Sequence, residues 1–296
     1  MRRTIRFATS ALIGLVIGSG IIADNALHVW DRGTVKSADA DTIARQGGSS
    51  WQPAQVVADD GVHLDAWLFT PREPNGAAVI LLHGVGDTRM GMSGHAPFLL
   101  RAGYTVLLPD LRGHGASGGT IITYGVRESA DIHRWADLLL RQPGITRLYG
   151  LGQSLGAAVL LESLPREPRF RGLVADSPFV TFEEIASDRL TQAGLSSRAA
   201  AWPVIHLGFV YACVRYGVNL WHASPAEALR ATRIPVLLIH GQDDGNIPPR
   251  HSRELHATNP GASELWEVPH AGHVASLVTE PENYERRVTE WFGKHR

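Results

Sequence analysis

A chain of 296 residues, 44% of them hydrophobic, has the material for a substantial buried core, in one large domain or two small ones. Its 29 acidic and 28 basic side chains nearly cancel, so there is no global positive field to attract nucleic acid or anionic lipid, and no nucleic-acid partner is expected. The single cysteine, Cys213, excludes an internal disulfide and a cysteine-based zinc cluster, and it reads as a small apolar side chain.

In chain order, Arg2, Arg3 and Arg6 come first, followed by an uncharged apolar run over residues 7–23. At helical rise these 17 residues reach roughly 25 Å, against a bilayer core of about 30 Å. The pattern predicts an N-terminal membrane anchor or signal segment over 1–23, and hence a membrane partner, with a buried core helix as the lesser alternative. Ile21 spoils the small-x-small cleavage pattern near Ala23, which favours retention of the helix. Arginines held in the cytoplasm then put the remaining chain on the extracytoplasmic side; secretion or periplasmic release after cleavage is the alternative. The mixed stretch 24–50, closing on Gly47-Gly48-Ser49-Ser50, reads as a flexible tether, and 51–296 as one domain without internal linkers.

Within that domain, the runs 52–58 and 62–70 flank Asp59-Asp60-Gly61 and predict an antiparallel hairpin. Apolar runs at 77–83 and 104–109, separated by helical spacing over 97–102, suit strands covered on both faces. A helix over 127–141, a strand at 147–151, a helix over 155–164 and a strand at 172–176 continue the alternation. Strands at 236–240 and 264–268 and a closing helix over 281–292 complete it. This order predicts an α/β fold, a mostly parallel central sheet with helices on both faces. Residues 181–233 interrupt it with Trp202, Phe209, Tyr211 and Trp221 among apolar residues at helical spacing, and read as a helical lid insertion.

The most informative segment is 147–164, where a short strand runs into Gly152-Gln153-Ser154-Leu155-Gly156 and then directly into an apolar helix. So tight a strand-to-helix turn strains the serine backbone and requires neighbours with almost no side chain, which the two glycines supply. Ser154 at the helix N-terminus is the candidate nucleophile. A serine needs a histidine to take its proton, and the histidine needs a carboxylate to fix its tautomer. Candidates follow in the order Ser, acid, His: Asp243 and Asp244 after one strand, His270 and His273 after the next.

These segments resemble the α/β-hydrolase superfamily, in the branch of serine aminopeptidase-like hydrolases and esterases, over roughly 52–295. The branch pattern H-G-x-x-D-x-x-I/V-P, counted from His240-Gly241, puts the acid on Asp244. The family's G-H after the last strand matches Gly272-His273, leaving His270 as a loop residue. His83-Gly84-Val85-Gly86 resembles the oxyanion motif and implies backbone N–H donors at Val85 and Leu155. His83 itself is expected to be structural. Asp110-Leu111-Arg112-Gly113-His114-Gly115-Ala116-Ser117 resembles a scaffold turn, and Asp176 is an alternative acid.

The resemblance implies hydrolysis of carboxylic esters by Ser154, His273 and Asp244 through an acyl-enzyme, on a small-molecule acyl substrate. The same residues would serve a peptidase, an amidase or an acyltransferase, and a membrane-tethered binding protein without turnover is the rival of another class. A serine at the nucleophile position excludes dehalogenase and epoxide hydrolase chemistry of the aspartate type. No cofactor is expected: the histidines form no tight metal set, and Gly84, Gly86 and Gly91 lack the spacing of a dinucleotide loop.

Overall fold

The computed structural model describes residues 2–296, with side chains from residue 13 onward. It opens with two helices, α1 (Arg2–Leu27) and α2 (Ser37–Gly47), before an antiparallel pair β1 (Ser49–Val57) and β2 (His63–Pro71). The alternation then runs β3 (Ala77–Leu82), α3 (Ala96–Arg101), β4 (Thr105–Pro109), α4 (Glu128–Leu140), β5 (Arg147–Gln153), α5 (Leu155–Ser163) and β6 (Phe170–Asp176). Three helices follow without a strand: α6 (Phe182–Gln192), α7 (Arg198–Tyr216) and α8 (Pro225–Ala231). The chain closes with β7 (Val236–Gly241), α9 (Arg250–Thr258), β8 (Ser263–Val268), α10 (Ser276–Thr279) and α11 (Pro281–Lys294).

The eight strands form one sheet in the order β1-β2-β4-β3-β5-β6-β7-β8, antiparallel at β1-β2 and β2-β4 and parallel elsewhere. Alternation along β3 feeds both faces of the sheet. Ala78, Ile80 and Leu82 enter the core shared with Trp135 of α4 and Val159 of α5, while Ala77, Val79 and Leu81 enter the one shared with Leu99 of α3 and Phe292 of α11. The strand order reverses at β3, with β4 on one side and β5 on the other. Chain leaving the carboxyl ends of β3 and β5 therefore diverges and opens a crevice between them.

Two expectations for the N-terminal region need correction. The tether expected over 24–50 is folded onto the domain. In α2, Ala40, Ile43, Ala44 and Gly47 follow the i, i+3, i+4, i+7 spacing of a helical face and are buried. Gly47 lies so close to Leu100 that a Cβ there would sit 2.5 Å from its side chain, and Gly48, at φ 63°, caps the helix in the left-handed region. The Gly-Gly-Ser-Ser stretch is thus a helix stop leading into an edge strand. Arg32 is pinned to the 110–119 turn, its carbonyl accepting from Gly115 N at 2.8 Å and its guanidinium donating to the Ser117 and Gly119 carbonyls.

The anchor expected over 1–23 also differs from what the structure shows. Residue 1, and the side chains of 7–12 within the apolar run, lie outside what is described. Among the described residues no helix is long and apolar enough to cross a membrane. Instead Ser19, Ala23 and Leu27 are buried, with Ala23 against Gly208 of α7. Asp24 accepts from the hydroxyls of Tyr211 and Tyr216, and the Ala26 and Leu27 carbonyls accept from Tyr124 Oη and Ile122 N. The C-terminal half of α1 belongs to the globular body.

Candidate active site

Ser154 sits between β5 and α5 at φ 53°, ψ −116°, a conformation that costs of order 1–3 kcal/mol. Both flanking glycines are required there. A Cβ on Gly156 would lie 2.3 Å from the Leu82 carbonyl oxygen, and one on Gly152 would lie 2.5 Å from the Gly156 carbonyl carbon. α5 can therefore press against the end of β3, and the serine is left projecting into the crevice.

His273 Nε2 lies 3.0 Å from Ser154 Oγ, and its Nδ1 donates to Asp244 Oδ2 at 2.8 Å. Three side chains distant in sequence form one hydrogen-bonded chain. Asp244 Oδ1 accepts from the backbone N–H groups of Asn246 and Ile247 at 2.9 and 2.8 Å. Burial alone would raise the Asp244 carboxyl, but hydrogen bonds from His240, His273 and Ile247 outweigh it and hold the group well below the usual carboxylate range. His240 was a motif marker in the sequence; here it braces the acid loop, with Nδ1 2.7 Å from Ser252 Oγ and Nε2 2.8 Å from the Ile247 carbonyl. On the histidine side, Gln153 donates to the Val274 carbonyl and Ser177 Oγ accepts from Val274 N.

His270, Asp243 and the Asp176 carboxylate stand outside this hydrogen-bonded chain. His270 and Asp243 face each other at 3.9 Å on the exposed surface. Asp176 is fully buried at the end of β6 and is contacted by the hydroxyls of Ser276 and Ser177. Burial raises its carboxyl to about 6 despite nearby histidines, and its backbone carbonyl accepts from Ser154 N at 2.8 Å.

The 83–86 segment passes over the serine, so that a Cβ on Gly84 would lie 3.4 Å from Ser154 Cβ. Among the described residues neither Val85 N nor Leu155 N donates to another protein group, and both residues line the cavity beside Ser154. The surrounding histidines hold this loop. His83 donates from Nδ1 to the Gly84 carbonyl and accepts Leu111 N at Nε2, and burial together with His114 lowers its pKa to about 3, so it stays neutral. His114 accepts Gly86 N, and Asp110 accepts from Arg89 and Ala116. The 110–117 turn is scaffold.

A sequence profile of the alpha/beta hydrolase family matches residues 79–287, from β3 into α11. The chain belongs to the alpha/beta hydrolase family. It is 26% identical to the uncharacterized protein YqkD of Bacillus subtilis over 98% of this chain and 97% of that protein, a likeness that takes in the N-terminal helix. It is also 26% identical to YfhR of Escherichia coli, over 77% of this chain and 76% of that one. The esterase Pf2001 of Pyrococcus furiosus has the same fold, with TM-score 0.69 and 24% identity over 85% of this chain and 95% of that one. So has the acylaminoacyl peptidase of Pyrococcus horikoshii, with TM-score 0.64 and 16% identity over 87% of this chain and 43% of that one. Esterases and peptidases share this fold, and the chain is a hydrolase by family.

In this alpha/beta hydrolase, Ser154 opens into a cavity of about 210 Å³. Among the described residues its lining is almost wholly apolar, and the exposed Arg189 is the one charged residue. Phe182, Ile205 and Phe209 supply the wall from α6 and α7; Ile22, Ala23 and Ala26 supply it from α1. The part played by α1 was missed in the sequence, where its apolar run read as lipid-facing. The available signal was Gly18-Ser19-Gly20 followed by Asp24, small residues for close helix contact and a charge ending the run.

Proposed function

We propose that this chain is a serine hydrolase that cleaves carboxylic esters carrying an apolar acyl group. The hydrogen-bonded chain from Ser154 Oγ through His273 to Asp244 carries this reading. His273 Nε2 takes the Ser154 proton as Oγ attacks the ester carbonyl, and the tetrahedral oxyanion is met by the Val85 and Leu155 N–H groups. His273 then passes the proton to the departing alkoxide, leaving an acyl-serine. Water, deprotonated by His273, attacks the acyl carbon, and His273 returns the proton to Ser154 Oγ as the acid is released. Asp244, anionic throughout, fixes the His273 tautomer and stabilises the imidazolium.

The cavity lining favours esters over the aminopeptidase reading. A free α-ammonium group requires a carboxylate partner, and none of the described lining residues is acidic. A fluorophosphonate probe tests the nucleophile, and p-nitrophenyl esters of rising chain length test the acyl group. The reading expects labelling that is lost in Ser154→Ala and turnover that peaks beyond acetate. Folded wild-type protein that neither labels nor turns over would make the chain a non-catalytic binder.

A further inference from the structure

Among the described residues, large exposed apolar side chains concentrate on α1 and α7. Ile13, Ile17 and Ile21 recur every fourth residue and form one stripe on α1; Val210 and Val214 repeat the spacing on α7. Ile17 is 57% exposed and Val214 is 84% exposed. The stripe is held facing outward, because the opposite face of α1 is buried on α7 through Ser19, Ala23 and the Asp24 hydrogen bonds. Contiguous exposed apolar surface of this kind marks a docking face.

Three observations point to lipid as its occupant. Residues 1–23 contain Arg2, Arg3 and Arg6 and no acidic residue, and α7 has no acidic residue and carries Arg215 and Arg198, the latter paired with Asp188 of α6. The exposed tryptophans Trp30, Trp202 and Trp221 lie on or beside the same elements, and such rings favour a membrane–water boundary. The stripe also adjoins the cavity, since half-exposed Ile22 follows Ile21 and lines it with Ser154. With α1 packed from Ser19 onward, residues 7–18 reach about 18 Å at helical rise, against a bilayer core of roughly 30 Å, which favours lying on the surface over crossing it.

We propose that α1 and α7 together dock this hydrolase on an anionic lipid surface. α1 lies in the interface, and the cavity mouth opens toward the acyl layer. Docking is independent of the Ser154 chemistry; only the further step, entry of a lipid ester into the cavity, rests on it.

Flotation of the full chain with phosphatidylcholine vesicles, with and without phosphatidylglycerol, tests the proposal. Binding is expected to require phosphatidylglycerol, weaken with salt, reverse in alkaline carbonate and persist in Ser154→Ala. Ile17→Glu and Val214→Glu should each weaken it about tenfold or more, with fluorophosphonate labelling and thermal unfolding unchanged. Carbonate-resistant binding that ignores Val214→Glu would overturn the proposal in favour of a spanning anchor. A dimer broken by Val214→Glu, without vesicle binding, would assign the face to a second copy. Absence of any vesicle binding would overturn it outright.

Discussion

The two walls of the cavity are held by different kinds of constraint. On the sheet side, backbone meets backbone. The β5–α5 turn is pressed against the end of β3, and the acid and histidine loops touch where a Cβ on Gly241 would lie 2.2 Å from the Ala271 carbonyl oxygen. On the helical side, α1 meets α7 through side chains, a tyrosine ring over Gly20 and two tyrosine hydroxyls on Asp24. Rigid backbone contact suits groups that must hold hydrogen-bond geometry to a few tenths of an ångström. Side-chain contact suits a wall whose task is to accept apolar surface, where small shifts cost little.

The largest effect separates the two buried acids at the sheet end. On the proposed mechanism, Asp244→Asn, which removes the acceptor of His273 Nδ1, should lower kcat by roughly 10³–10⁴-fold. Asp176→Asn should keep turnover within about tenfold of wild type, because Asp176 contributes hydroxyl contacts and a backbone carbonyl instead of orienting the histidine. Steady-state ester hydrolysis decides this, and equal losses would break the assignment.

Next comes a pair of glycines, one from each wall. Gly156→Ala drives a methyl group into two carbonyl oxygens that cannot move without distorting β3, and should cost about 3 kcal/mol in urea unfolding. Gly20→Ala meets the Tyr211 ring at 3.4 Å, ordinary contact distance, and should change stability by less than about 1 kcal/mol. Comparable losses at both positions would mean that the walls are equally rigid.

The same contrast explains what the sequence discloses. The geometry at Ser154 is demanded by neighbours in the chain, so Gly152 and Gly156 mark it at fixed offsets, and the strand pattern around them shows which end of the sheet they occupy. Asp244 and His273 are legible because each follows a strand end in a short motif. The α1 wall depends on a contact between residues nearly two hundred positions apart, Ala23 with Gly208 and Asp24 with Tyr211. An apolar helix has the same composition whether protein or lipid covers it, and only the buried Ser19 and the paired Asp24 show which face went where. The four-residue run Gly47-Gly48-Ser49-Ser50 misleads for a similar reason: a helix cap and a flexible joint use the same residues.

Smaller effects probe the helical wall directly. Ile22→Trp fills space beside Ser154 without disturbing a packed core, since Ile22 is half-exposed. It should reduce kcat/KM for the longer p-nitrophenyl esters by about tenfold while leaving the acetate ester nearly unchanged. A uniform loss at all chain lengths would mean that α1 does not set the acyl pocket.

The smallest effect is a pH dependence in the grip of α1 on α7. Hydrogen bonds from Tyr216 and Tyr211 outweigh the cost of burial and hold Asp24 below its ordinary 3.8. An acid depressed in the folded state binds its proton less readily than in the unfolded chain. Its stabilisation is therefore complete above the ordinary value and is lost as pH falls through the depressed one. Water reaches this carboxylate, so the contribution should stay below about 1 kcal/mol. Amide protection in α1 should thus decline relative to that in β5 as pH falls below about 4, and Asp24→Asn should abolish the difference. If protection in α1 and β5 falls in parallel, the helix is locked to the sheet as one unit, and the distinction between a rigid catalytic wall and a yielding apolar one fails at its most sensitive point.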